Sequence, residues 1–365
     1  MGEDVPDPVL LIVEIRSLVE AARTAVAREV NTLMVLTRFE IGRRIVVHEQ
    51  EGQVRAGYGR AVLQSLSDAL TREFGRGWSV DNLSLMRRFF LRYRDRGEIS
   101  ETASRISPAT STQDVSALGR TLTSLARSSP FTLSWSHYVF LIGIDDASER
   151  SFYEIEASRN GWSLRELRRQ FDTSLFERLA LSRDKQGVRA LATDGQIVEK
   201  ASDMLKDPYV LEFLGLEERH QYSESDLENR IISKLEHFLL ELGRGFLFEG
   251  RQRRFSFDEE HYYVDLVFYN RLLRCFVLID LKIGKITHQD LGQMQMYVNY
   301  YDRHVKLDEE GPTVGILLCK RKNDALVEIT LPEASNVHAR EYSLVIPSKA
   351  DLQRKLLEWS DVQEE

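Results

Sequence analysis

Apolar positions along this chain repeat first at helical spacing and then, past its middle, at strand spacing. From Val9 to Glu49 a stripe of Leu11, Ile15, Leu18, Ala22 and Val26 predicts one long helix, or a long and a short one. Leu63, Leu66, Leu70 and Phe74 mark a second helix over Tyr58–Phe74. Gly75-Arg76-Gly77 breaks it, and Ser79 is placed to cap a third helix from Val80 to about Arg94. Together these predict a helix-turn-helix-like unit. The period is lost from Glu98 to Pro130, a Ser-, Thr-, Ala- and Gln-rich stretch expected to be a flexible linker, partly disordered or broken by a short helix near Val115–Leu125. It returns at Phe131, with a short helix from Leu133 to about Gly143. Another helix runs through Phe152, Tyr153 and Ile155 and stops at Asn160-Gly161.

The polar stretch Ser182–Gly195 is expected to divide the chain into a helical domain (residues 1–182) and a second domain (residues 183–365). Asp207-Pro208-Tyr209, with Val210, Phe213 and Leu214, reads as a docking segment. A helix over Ser225–Leu242 turns Leu227, Ile231, Leu235, Phe238 and Leu242 inward. Strands are then expected over Gly245–Phe257, Tyr262–Tyr269 and Arg274–Lys282, followed by a helix from about Thr287 to Asp302. An apolar strand over Thr313–Lys320, shorter strands at Leu326–Leu331 and Glu341–Ile346, and a helix over Ala350–Trp359 close the chain. The fold class is α+β and multidomain: a helical domain, then a mixed sheet flanked by helices.

With 365 residues, 42% hydrophobic and 29% charged, the chain can build two cores. The net charge of −8 argues against indiscriminate coating of nucleic acid but allows a local basic face. Cys275 and Cys319 lie in apolar runs, as buried reduced thiols of a cytoplasmic protein do. No apolar run approaches the ~20 residues that span a bilayer, so no membrane role is expected. The acidic start lacks the basic segment of a signal peptide. With no G-x-x-x-x-G-K-[ST], no nucleotide cofactor is expected, and no G-x-S-x-G marks a serine hydrolase.

The chemistry concentrates between Tyr262 and Tyr297. Alternation puts Tyr263, Asp265, Val267 and Tyr269 on one strand face and Val264, Leu266 and Phe268 on the other. The next apolar run ends in Asp280-Leu281-Lys282, whose two charged residues share a face. Charges at the end of so apolar a run are costly unless paired or bound to something. Two carboxylates and an ammonium at one sheet edge suit a hard divalent cation and a phosphate.

These residues resemble the PD-(D/E)xK nuclease superfamily. Asp265 matches its first strand acid, Asp280-Leu281-Lys282 its (D/E)-x-K, and Gln293 with Tyr297 the Q-x-x-x-Y of the branch that resembles the RecB nuclease. G-R-Q at Gly250–Gln252, D-L-V-F-Y at Asp265–Tyr269, G-Q-M at Gly292–Met294 and Y-V-N-Y-Y-D at Tyr297–Asp302 look like the bacterial YhcG-type (DUF1016) nucleases, over most of the chain. The resemblance implies a restriction-endonuclease-like fold and hydrolysis of DNA phosphodiesters with Mg²⁺ or Mn²⁺. Asp265, Asp280 and the Leu281 carbonyl would hold the ion, and Lys282, Gln293 and Tyr297 would assist. It also implies a role in defence against foreign DNA or on mobile elements and, by analogy, a homodimer. Glu228 would be the extra acid of the first core helix, although Ser225-x-x-Glu228 also spells a capping box.

For DNA contact the candidates are Arg87, Arg88 and Arg92 on the third helix. Arg168 and Arg169 join them, because Gly161-Trp162-Ser163-Leu164 echoes Gly77-Trp78-Ser79-Val80 and an arginine-bearing helix follows each. Arg251 and Gln252, on the first strand, are further candidates. Each could equally be a solvated face. The competing reading of the whole is a DNA-binding or assembly protein on an inactive nuclease scaffold; a third is a nuclease on RNA or branched DNA.

Overall fold

The structure, a computed structural model, describes residues 29–49, 56–95, 129–183, 185–216, 222–257, 259–332 and 335–362. Contacts divide the chain into two units, Met1–Arg150 and Ser151–Glu365. The expected helix before residue 29, nearly all of the linker and its short helix lie outside the described residues.

In the first unit, α1 (residues 29–49), α2 (Ala56–Phe74), α3 (Val80–Tyr93) and α4 (Trp135–Leu141) follow the predicted order. Gly75 and Gly77 turn the chain at φ +81° and +113°, a region open to glycine at little cost. The Ser79 hydroxyl then accepts the Asn82 N–H at 3.3 Å, capping α3. Ile45, Leu63, Leu83 and Met86 close a small core, with Trp78 against it. Gly42 allows α1 to meet α3, since a Cβ there would fall 2.1 Å from the Met86 carbonyl oxygen.

Helices α5 (Ala147–Asn160), α6 (Leu164–Asp172), α7 (Leu175–Ala180) and α8 (Lys185–Asp194) follow. The Gly-Trp-Ser echo has a structural basis. Gly161 also adopts positive φ, and Ser163 caps α6 in a reciprocal box with Glu166. The polar stretch Ser182–Gly195 carries α8, which buries Leu191. The strands are β1 (Tyr209–Val210), β2 (Phe246–Phe257), β3 (Glu260–Asn270), β4 (Cys275–Lys285), β5 (Val314–Arg321) and β6 (Val337–Ser343). They form one mixed sheet in the order β1-β6-β5-β4-β3-β2. β2, β3 and β4 run antiparallel, while β4, β5, β6 and β1 pair in parallel.

Helices pack both faces of this sheet. Helices α9 (Glu224–Ser233) and α10 (Leu235–Leu242) bury Leu227, Ile231 and Phe238 against Val277, Ile279 and Leu281. On the other face α11 (His288–His304) and α12 (Asp324–Thr330) cover Leu278, Leu317 and Cys319. Gly315 of β5 lets α11 lie close, because a Cβ there would meet the Met294 side chain at 2.7 Å. Helix α13 (Lys349–Val362) ends the described chain. Cys275 and Cys319 are buried free thiols.

Four local expectations are corrected. The helix expected over Ser225–Leu242 is two, broken at Lys234, whose φ of −124° leaves the helical region. Its cap is Ser223 with Asp226, not Ser225 with Glu228, so Glu228 does not serve the helix start. Of Leu326–Leu331, expected as a strand, Leu326–Thr330 belongs to α12 and Leu331 follows as its C-cap. The Asn323 side chain caps the start of α12 by accepting the Leu326 N–H at 3.3 Å, and Leu326, Val327 and Leu331 turn to the core. The strand expected at Glu341–Ile346 is Val337–Ser343, in register with β5.

Candidate active site

The site forms where β3 and β4 part. Their pairing runs from Asn270 opposite Cys275 to Leu266 opposite Ile279 and stops there. The next residue on β3 is Asp265, and on β4 it is Asp280, so the fork carries one acid on each prong. The expected alternation also breaks at this point: Leu266 and Phe268 pack with α9 and α10, whereas Val264 packs on the α11 side with Val267. On β2, between Arg251 opposite Leu266 and Arg253 opposite Val264, Gln252 has a left-handed φ of +46°.

Donors from two elements hold Asp265. Its Oδ2 accepts the Leu281 N–H at 2.9 Å, and its Oδ1 accepts the Gln252 amide at 3.0 Å. Asp280 is buried, 4% exposed. Burial, followed by the nearby Asp265 carboxylate, pushes its carboxyl up to about 7, although Lys282 works against both. Lys282 Nζ lies 2.9 Å from Asp280 Oδ2, 3.7 Å from Glu224 and 3.9 Å from Asp290. Burial alone would lower the ammonium's pKa. These three carboxylates outweigh burial and hold it above its ordinary value, so Lys282 is a fixed cation at neutral pH.

Gln293 and Tyr297 meet on α11 as their one-turn spacing predicts, the amide donating to the phenol oxygen. Burial, then the Asp280 charge, pushes the Tyr297 hydroxyl up to about 12, so it is a neutral donor. Glu228 is buried on α9, its Oε2 accepting the Gln252 amide at 2.6 Å. Burial raises its carboxyl above the usual range; the Gln252 hydrogen bond opposes this and Asp265 adds to it. Glu224 is the member that sequence reasoning missed at the acids; it carries no local signal, since its contact arises from the first turn of α9.

The remaining candidates lie elsewhere. Arg87 pairs with Glu49 at 2.7 Å, Arg88 donates to the Ile142 carbonyl at 3.3 Å, and Arg92 pairs with Asp145 at 2.6 Å. Arg169 is held by Glu212 at 3.1 Å and stacks on Phe213, while Arg168 is exposed beside Arg165. Arg251 bonds Asn229 at 3.1 Å and sits 4.0 Å from Glu228. Gln252, expected at a phosphate backbone, turns to the acids instead.

Among the described residues, no three His, Cys, Asp or Glu side chains converge at metal-ligand distance. Mg²⁺ is commonly bound through only one or two protein carboxylates, with water and substrate oxygens completing the shell. Asp265 and Asp280, neighbours at the fork, with Asp280 resisting ionisation first through burial and then through Asp265, are therefore a donor pair that fits such an ion.

A mixed sheet carrying two acids and a lysine at a strand fork defines the class of PD-(D/E)xK nucleases. Family models support it: residues 202–357 match the YhcG PDDEXK nuclease domain and residues 14–178 the DUF1016 N-terminal domain. The chain is 41% identical over 356 residues to the Escherichia coli (strain K12) protein named "Putative nuclease YhcG", covering 95% of this chain and 93% of that one. The chain thus belongs to the YhcG family of PDDEXK nucleases. A crystal structure of a repair endonuclease from Pyrococcus abyssi matches 36% of this chain and 50% of that one, at 16% identity and a TM-score of 0.24.

Proposed function

We propose that this protein is a Mg²⁺- or Mn²⁺-dependent endonuclease that hydrolyses phosphodiester bonds of DNA. The observation that carries the reading is the meeting of Asp265, Asp280 and Lys282 at the fork of β3 and β4. Asp265, Asp280 and the Leu281 carbonyl would hold the cation. When bound, it polarises a phosphoryl oxygen and lowers the pKa of water. Lys282, locked in its charged form, orients the attacking water and stabilises the negative charge that develops on the phosphate. Tyr297 and Gln293 offer neutral donors to the substrate backbone. Gln252, whose amide Glu228 also accepts, fixes Asp265.

DNA backbone contacts fall to Arg168, Arg251 and the α3 arginines Arg87, Arg88 and Arg92, in exchange for their present partners. Two copies acting on two strands would form a homodimer. No described helix is long and apolar enough to cross a membrane. A cytoplasmic role in defence against foreign DNA or on mobile elements accords with the family.

Plasmid nicking with Mg²⁺, Mn²⁺ and EDTA tests this. Asp265→Ala, Asp280→Ala and Lys282→Ala should each abolish cleavage with circular dichroism unchanged. Cleavage by Asp280→Ala at the wild-type rate would falsify the assignment. Competition among duplex, single-stranded, branched and RNA substrates then fixes the class.

A further inference from the structure

Between β2, α11 and the end of α12 lies a hollow of about 390 Å³ that the reaction as derived does not use. Phe255, Phe257, Met296, Tyr300, Leu331 and Pro332 line it, with Arg303 and His304 among its polar groups. Phe257 is 62% exposed, an unusual state for so large an apolar ring. Phe255 is the link to the fork. Its ring packs edge-on against Tyr297 at 5.4 Å and stacks on Tyr300 at 4.1 Å. His304 sits 5.0 Å from the Tyr300 ring. Phe255 thus touches both the hollow and the Tyr297 ring.

Gly292 also lines the hollow, and a Cβ built there meets nothing within 4 Å. Its volume is at the low end of the ~300–1,000 Å³ usual for small-ligand pockets, too small for a stacked base pair with its neighbours. Aromatic walls beside a cationic rim are what an unpaired base and its phosphate call for.

We infer that this hollow is a base-binding subsite, which takes one unpaired nucleobase of a DNA strand next to the phosphate at the fork. It rests on the nuclease reading for the identity of the strand, but not on catalysis. The consequence is a preference for frayed, flapped or single-stranded DNA, in which a base is free to leave the stack at little cost.

The test uses the full chain with Lys282→Ala, so that the strand is not cut, and single-stranded DNA carrying 2-aminopurine at successive positions. One position should be quenched on binding. Tyr300→Ala and Gly292→Leu should remove the quenching and weaken binding roughly five- to hundredfold, the range of base-on-aromatic stacking. Tyr300→Phe should restore it. Absence of quenching at every position, or quenching unchanged in Tyr300→Ala, overturns the subsite. A matched RNA strand quenched where DNA is not overturns the choice of DNA. Wild-type protein assayed on the same strand separates the two readings. Cutting without quenching sinks only the subsite; quenching without cutting sinks only the nuclease.

Discussion

Gln252 offers the sharpest single perturbation. Its amide nitrogen donates to Glu228 at 2.6 Å and to Asp265 at 3.0 Å, tying α9 to β3. It does so from a backbone φ of +46°, which a non-glycine residue adopts at a cost of about 1–3 kcal/mol. A group that orients a metal-binding carboxylate typically contributes 10- to 100-fold to metal affinity, or about 1.4–2.8 kcal/mol. Gln252→Ala removes both hydrogen bonds and keeps the backbone cost; Gln252→Gly removes both and relieves it. Both variants should therefore raise the Mn²⁺ concentration at half-maximal thermal shift by about 10- to 100-fold. Without metal, the glycine variant should melt above the alanine variant by a few degrees, since ~1 kcal/mol moves Tm by about 2–4 °C in a domain of this size. Differential scanning fluorimetry across a Mn²⁺ titration reads both effects, and EPR of free Mn²⁺ checks the affinity. A Mn²⁺ midpoint for Gln252→Ala within twofold of wild type would refute the positioning role, leaving the left-handed kink without a functional account.

Other outcomes follow from the buried charges of the second unit. Arg178 and Glu241 are both fully buried and pair at 2.5 Å, with Arg178 also donating to the Thr173 and Pro208 carbonyls. Arg178→Met should cost about 3–5 kcal/mol by removing the main partner of Glu241, and adding Glu241→Leu should recover little of it, because Lys206 and the Val210 N–H would then lose Glu241, as chemical denaturation would show. His338 is held down to about 4 by burial, with Arg340 adding to it, and its Nε2 has no hydrogen-bond partner. A folded pKa below the unfolded 6.5 means that the unfolded chain takes the proton first. Stability from this group is present above pH 6.5 and is lost as pH falls towards 4, by about 3 kcal/mol at most. His338→Phe should flatten that part of the melting profile; an unchanged acid limb would assign the loss to other groups.

The legible part of the site was the part written in neighbouring positions. Asp280 and Lys282 two apart on a strand, and Gln293 and Tyr297 one turn apart on a helix, meet as their spacing demands. Asp265 joins them because an antiparallel pair that closes on Leu266 and Ile279 leaves it next to Asp280. What the pattern could not carry was anything set by a break in regular structure. Alternation assigned Val264 to the face of Leu266, but the two pack in different clusters, and Gln252, facing the residue between them, has a left-handed backbone. That same residue, Gln252, was expected at DNA because a polar side chain on an edge strand ordinarily faces solvent. Glu228 could not be freed from its capping role until the helix start moved two residues, to Ser223. Leu326–Leu331 failed for a related reason. Its β-branched residues favour a strand, yet the Asn323 cap and packing under α11 decide for helix. All of these misplaced residues lie within the second unit, and the strained one among them touches the acids. A non-glycine residue keeps a left-handed backbone at a working edge where the surrounding contacts require it, so Gln252 is the position where fold stability and ion binding are set against each other.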